Sequence, residues 1–416
     1  MPKIVVIGKK KLCGKIRISG AKNSALPILA AALLTKNSVL LHNIPKLGDV
    51  SVMSELLRSL GVKLNFSDNI IEMKADLLKL DNLENNPLLT RIRYSVHLIG
   101  ALLPQFKEVT IPLPGGCVIG TRKLDSHLLG FKSMGAKVVF KNGFIKVSAE
   151  QLHGCNVKLE YPSVGATENL LIAASLAEGN SVIENVAREP EIVDLANFLN
   201  SMGAKIAGAG SGCIRVRGVD ELGGTDYSII PDRIETGTYI VATAVTNGDV
   251  ILENTNPNHL KAVVTKIQET GVDIEEDDGD LHVRSLGKFD SVDFVTATYP
   301  GFPTDMQPII TPLLATAVGR SSIRETIYDN RFTHIPELLK MGADINLEGD
   351  VIRVSGVKEL VGAKIKANDI RCGGALILAG LCAKGKTIIT GIDQILRGYE
   401  NPVVKLRNVG AEISLC

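Results

Sequence analysis

Residues 112–127 read PLPGGCVIGTRKLDSH and gather Cys117, Arg122, Lys123, Asp125 and His127 around three glycines. Gly115, Gly116 and Gly120 let the backbone take positive φ, so the stretch reads as a loop rather than a strand or helix interior. A thiol placed there lies near solvent, and Arg122 favours its thiolate. We read Cys117 as a reactive thiol rather than a buried structural cysteine. Asp305, in YPGFPTDMQ, follows two prolines and an aromatic residue and opens a helix. Two roles fit it: a first-turn carboxylate serving the helix dipole, or a general base held in a cleft. Lys22, Arg93, Arg122, Arg331, Arg371 and Arg397 stand at the starts of helix-like segments. Any one alone reads as half of a surface ion pair. Together with the partial positive charge of helix N-termini, they form a set suited to phosphate and carboxylate groups.

These residues are positioned by a repeat. Gly61, Gly135, Gly203, Gly271, Gly342 and Gly410 each close an amphipathic helix just before a strand, at spacings of 74, 68, 68, 71 and 68 residues. A constant period of this kind signals a repeated architecture. Each copy holds an apolar helix (25–34, 95–103, 168–176, 236–245, 306–316 and 373–382), a β-branched strand, a second helix of amphipathic period, the glycine C-cap, and a hairpin. Asn142-Gly143, Asp278-Gly279 and Glu348-Gly349-Asp350 supply tight turns. The acidic run 275–280 lacks the ligand spacing of a cation loop and falls on a hairpin turn. The second copy is the longest, its extra residues lying in the Cys117 loop, where function often concentrates. The sixth copy stops at Cys416 without its hairpin, so residues 3–19 are expected to complete it as a hairpin-like pair. Six copies then divide into two domains of three: 22–228, and 1–21 with 229–416. Two chain crossings would leave a hinged cleft between them.

Composition removes several classes. The formal net charge of +1 argues against nucleic-acid binding through bulk positive charge. Seven cysteines without a CxxC pair or metal-ligand spacing fit reduced thiols in an intracellular protein that holds no metal. The N-terminus has too short an apolar run for a signal peptide, and runs such as 25–34 fall short of the ~20 residues of a membrane span. A soluble protein without a membrane partner is expected.

The stretches SGAKNSALPILAA (19–31), PLPGGCVIGTR (112–122), SVGAT (163–167), NVAREPEIVDLANFL (185–199), PDRIETGT (231–238), YPGFPTDMQ (299–307), NRFTHIPELLKMGA (330–343), NDIR (368–371) and LRGYE (396–400) closely resemble those of the UDP-N-acetylglucosamine 1-carboxyvinyltransferase family of enolpyruvyl transferases. The resemblance covers essentially the whole chain. It implies an α/β (α+β) fold: a two-domain inside-out α/β barrel of six βαβ-containing repeats, three per domain. It further implies a cytoplasmic enzyme of the first committed step of peptidoglycan synthesis; the sequence leaves the oligomeric state open, a monomer being compatible with it. Such an enzyme moves the enolpyruvyl group of phosphoenolpyruvate to the 3-hydroxyl of UDP-N-acetylglucosamine and releases phosphate, with neither cofactor nor metal. By the same resemblance Cys117 would act in proton transfer and be alkylated by fosfomycin, and Asp305 would deprotonate the sugar hydroxyl. Lys22, Arg122 and Arg397 would bind phosphoenolpyruvate, supported by Asn23, Arg331 and Arg371. The UDP-sugar would meet Asn23, Arg93, Arg122, Asp125, His127, Ser163, Val164, Gly165, Asp305 and Ile327. Arg93 is preferred to Arg91 for its spacing to Cys117. Tyr161-Pro162, Lys123 and Gln394 depart from residues found in some members. The rival readings are a 5-enolpyruvylshikimate-3-phosphate synthase and a relative that has lost catalysis but still binds a nucleotide sugar.

Overall fold

Helices that are apolar around their whole circumference must be surrounded by protein. The computed structural model, which describes residues 2–81, 83–113 and 124–416, places them so. Along the chain the helices are α1 (Lys22–Ala31) and α2 (Gly48–Ser59), α3 (His97–Phe106) and α4 (Asp125–Ser133), α5 (Val164–Ala174) and α6 (Pro190–Ser201), α7 (Arg233–Val245) and α8 (Lys261–Gln268), α9 (Gln307–Leu314) and α10 (Ile335–Leu339), then α11 (Ile370–Cys382), α12 (Ile392–Leu396) and α13 (Pro402–Asn408). Helices α1, α3 and α5 pack on one another, as do α7, α9 and α11. Each trio is almost wholly buried beneath its sheets, which is the inside-out barrel. Helices α1, α5, α7 and α11 begin three or four residues before their apolar runs. A first turn can be polar because its N–H groups are capped by side chains: Asp232 accepts from Ile234 and Glu235, and Asp369 from Arg371 and Cys372.

The six period-marking glycines all take positive φ, between 85° and 106°, the left-handed C-cap that the repeat required. Each sheet is built alike, as in the third copy. There the hairpin Lys205–Ala207 and Cys213–Arg217 adds Asn180–Glu184, and the parallel strand Asn156–Lys158 closes the far edge. That parallel strand belongs to the tail of the preceding copy. The handover is cyclic: Thr225–Ser228, after the third copy, runs parallel to Val39–His42 in the first.

Residues 3–19 do not form the expected hairpin-like pair. Ile4–Ile7 does complete the sixth copy, lying antiparallel between Lys386–Thr390 and Glu412–Leu415. Cys13–Arg17 does not pair with it. After Ile7, Gly8 donates to the Gly385 carbonyl and Lys9, at φ 65°, to that of Leu381, which turns the chain out of a hairpin path. Cys13–Arg17 instead runs parallel to Asp249–Glu253 in the fourth copy, closing the second cycle. Asn43, Asn185 and Asn254 mark equivalent corners with φ of 60°, 54° and 59°. Each donates its side-chain amide to the backbone just past the parallel edge strand, at Ile229, Leu159 and Ile18. The second sheet has three described strands; the short 3-10 turn Leu83–Asn85 packs where an edge strand would run. The acidic run is a hairpin turn, with Asp278 and Gly279 at φ 48° and 83°.

The described residues form two compact units, 20–230 and 2–19 with 231–416, each with its own apolar core. Among them, no helix is long and apolar enough to cross a membrane.

Candidate active-site residues

In the unit of residues 231–416, the helix starts converge on one carboxylate. Asp305 sits in the single 3-10 turn Thr304–Met306 that leads into α9. Its Oδ2 accepts from Arg371 Nη2 at 2.9 Å, and its Oδ1 accepts from Arg331 Nη2. Both arginines are buried, at 3% and 6% exposure, whereas a quarter of the Asp305 side chain reaches solvent. Arg371 lies in the first turn of α11 and also donates to the Tyr399 hydroxyl at 3.4 Å. Burial alone would lower its proton affinity; the Asp305 carboxylate, with Tyr399 and Asp232, outweighs that and raises it. His334, just before α10, is fully buried and held down to about 3 by desolvation and by Arg331, so it is neutral. Glu325 fixes the neighbouring loop: Oε1 accepts from the backbone N–H of Ile327 at 2.9 Å, and Oε2 from Thr304 beside Asp305 at 3.0 Å. Ile327 is half-buried. Arg397, at the end of α12, is half-buried and donates to Gln394 at 3.2 Å. The Gln394 departure therefore lies against an arginine of the predicted set.

In the unit of residues 20–230 the helix starts converge again. Lys22, the first residue of α1, is buried with its ammonium 2.7 Å from Asp49 in the first turn of α2. Asn23 follows it, half-buried. At the start of α5, Ser163 caps the helix by accepting from the Ala166 N–H at 3.3 Å, and Val164 and Gly165 form its first turn. His127 on α4 is buried beside Gly165: a Cβ added to that glycine would lie 3.3 Å from His127 Cε1. Its proton affinity falls well below the ordinary range through burial and then through His97 and Arg93. Arg93 is half-buried at the start of the turn leading into α3, while Arg91 and Asp125 are exposed. Glu168 and His97 form a buried pair at 2.8 Å, with burial raising the Glu168 carboxyl. Cys117, Arg122 and Lys123 lie outside the described residues.

Several neighbours of these side chains escaped the sequence reading. Asp49 was visible only as a residue at a helix start, and Tyr399 only inside LRGYE. Glu168 and Asn169 carried a usable signal: with Thr167 they make three successive polar residues inside the otherwise apolar VGATENLLIAA of α5, all with no exposed surface. Buried polar groups are seldom placed without partners.

Comparison with known proteins identifies relatives of the whole chain. The family model for EPSP synthase (3-phosphoshikimate 1-carboxyvinyltransferase) matches residues 6–406. UDP-N-acetylglucosamine 1-carboxyvinyltransferase 1 of Carboxydothermus hydrogenoformans is 48% identical, covering 99% of this chain and 98% of that one. The enzyme of that name from Clostridium botulinum is 46% identical, covering 99% of both. Among solved structures, the enolpyruvyl transferase NikO of Streptomyces tendae superposes with a TM-score of 0.90 at 25% identity, covering 100% of this chain and 99% of that one. An EPSP synthase of Acinetobacter baumannii, at 18% identity and a TM-score of 0.77 with full coverage of both chains, shares the fold. The chain belongs to the EPSP synthase family of carboxyvinyltransferases.

Proposed function

We propose that this enzyme transfers the enolpyruvyl group of phosphoenolpyruvate to the 3-hydroxyl of UDP-N-acetylglucosamine, in the cytoplasm, as a step of peptidoglycan synthesis. The observation that carries the chemistry is the Asp305 carboxylate set between the buried guanidiniums of Arg331 and Arg371. The acceptor is supported by full-length relatives at 46–48% identity that bear that enzyme's name.

The chemistry follows from the groups. Guanidinium forks suit the phosphate and carboxylate of the donor, which compete with Asp305 for Arg331 and Arg371. A carboxylate oxygen released in this way can take the sugar hydroxyl proton. The hydroxyl oxygen then bonds to C2 of phosphoenolpyruvate as a proton, delivered by Cys117, adds to C3. The tetrahedral adduct loses a C3 proton and breaks its C2–O bond to phosphate, restoring the double bond on the sugar. Lys22, Arg122 and Arg397 offset the donor's charge, and Asn23 orients the acceptor. Arg93, Asp125, His127, Ser163, Val164, Gly165 and Ile327 hold the UDP-sugar. The reading also makes Cys117 the target of fosfomycin.

The family model's own description favours a second reading, with shikimate 3-phosphate as acceptor. Phosphate release from phosphoenolpyruvate, measured with each acceptor in turn, decides between them. Release with UDP-N-acetylglucosamine alone is expected. Release with shikimate 3-phosphate alone supports the second reading, and none with either contradicts both.

A further inference from the structure

Asn169, in α5, is fully buried and its amide orientation is fixed by two backbone partners. Oδ1 accepts from the Gly100 N–H at 3.0 Å, and Nδ2 donates to the Val96 carbonyl at 3.0 Å. A backbone N–H can only donate and a carbonyl only accept, so the amide cannot be turned over. The remaining Nδ2 hydrogen faces His127 Nδ1 at 3.1 Å. Two N–H groups cannot share that contact, so Nδ1 is the bare acceptor and the ring proton sits on Nε2.

We infer that Asn169 is a positioning residue that locks His127 as a neutral imidazole with its proton on Nε2, so that the ring offers the nucleotide sugar a donor of fixed protonation. This rests on the UDP-sugar reading of the same residues. The Nε2–Cε1 edge faces the first turn of α5, where a Cβ on Gly165 would lie 3.4 Å from Nε2. The surrounding charges agree. Arg93 and His97 both act against a cation at His127, and desolvation is the larger influence. His97 Nδ1 lies 3.2 Å from the Tyr94 carbonyl, so it is a donor, and its Nε2 lies 2.8 Å from Glu168. Asp125, on the same helix as His127, is exposed. An imidazolium would be the ordinary choice against a diphosphate; a locked neutral ring leaves charge neutralisation to arginine and helix dipole, and supplies direction.

The test uses the full-length enzyme labelled with nitrogen-15 histidine, H127Q identifying the His127 signals. Between about pH 5.5 and 8.5 the ring is expected to stay neutral with its proton on Nε2, although a free histidine titrates in that range. An Nδ1-protonated ring, or one that titrates there, overturns the positioning role with no substrate involved. In N169D the carboxylate accepts from Nδ1, so the KM for UDP-N-acetylglucosamine should gain a pH dependence of about fivefold or more that the parent lacks. Glutamine places an amide N–H near the Nε2 position and asparagine near Nδ1. The KM should therefore rise about tenfold less in H127Q than in H127N, the worth of one hydrogen bond. The reverse order overturns the tautomer. An Nε2-protonated ring with the KM unmoved in H127N and H127F overturns the ligand assignment instead.

Discussion

In the proposed reaction the chemistry turns on Asp305, whose two oxygens accept from the guanidiniums of Arg331 and Arg371. Asp305→Asn keeps the shape of the group and removes its capacity to take a proton. We expect kcat to fall by at least ~10²-fold, the usual contribution of a general base, with phosphoenolpyruvate still bound. A kcat within a few fold of the parent would remove Asp305 from that role. His334, beside Arg331, makes a separate prediction about acid stability. Burial takes it from the ordinary 6.5 to about 3, so the folded chain holds it neutral while the unfolded chain protonates it. Its contribution is complete above pH 6.5 and is lost as the pH falls toward 3. His334→Gln should therefore flatten the decline of the urea midpoint across that acid range. An unchanged slope would show that His334 is protonated in the folded state as well.

At the scale of the elements, the repeat was legible because its marks are local. A C-cap glycine, an Asn-Gly turn and an apolar helix each need only a few neighbouring residues, and all three were found where the chain announced them. The destination of Cys13–Arg17 was not legible, since an isolated strand carries no sign of which distant edge it will join. Nor could spacing reveal the pairing of Lys22 with Asp49, or Asn169 with His127, which arises only when helix starts converge. The starts of α1, α5, α7 and α11 lie three or four residues before the apolar runs, and in α1, α7 and α11 the first turn carries polar groups. The glycine cap allows a clean measurement. Gly203 has φ 106° and no atom within 4 Å of an added Cβ. Gly203→Ala therefore introduces backbone strain without a clash, and should lower stability by about 1–2 kcal/mol in denaturant unfolding. No loss would mean that this turn relaxes freely out of the left-handed region.

At the scale of the whole molecule, three copies close on themselves twice, and every described sheet but the second borrows an edge strand from the copy before it. In the second cycle the chain ends meet: Lys3 and Cys416 exchange backbone hydrogen bonds of 2.8 and 2.9 Å. A permutant that joins these ends by a short Gly/Ser linker and opens at the exposed Asn142-Gly143 turn should fold and remain active. Deletion of residues 1–8 removes an interior strand of a four-stranded sheet and should leave the protein unfolded or insoluble. A permutant that fails, or a deletion that behaves like the parent, would contradict this closure.

Each cycle brings polar helix starts together within its own unit, and the transfer proposed for them is open to direct test. The most direct measurement is the mass of the sugar nucleotide after incubation of the purified enzyme with phosphoenolpyruvate and UDP-N-acetylglucosamine. The proposed transfer gives a product heavier by one enolpyruvyl group, formed in equal amount with the phosphate released. A sugar nucleotide recovered unchanged, with shikimate 3-phosphate converted in its place or with no turnover of either, would contradict it.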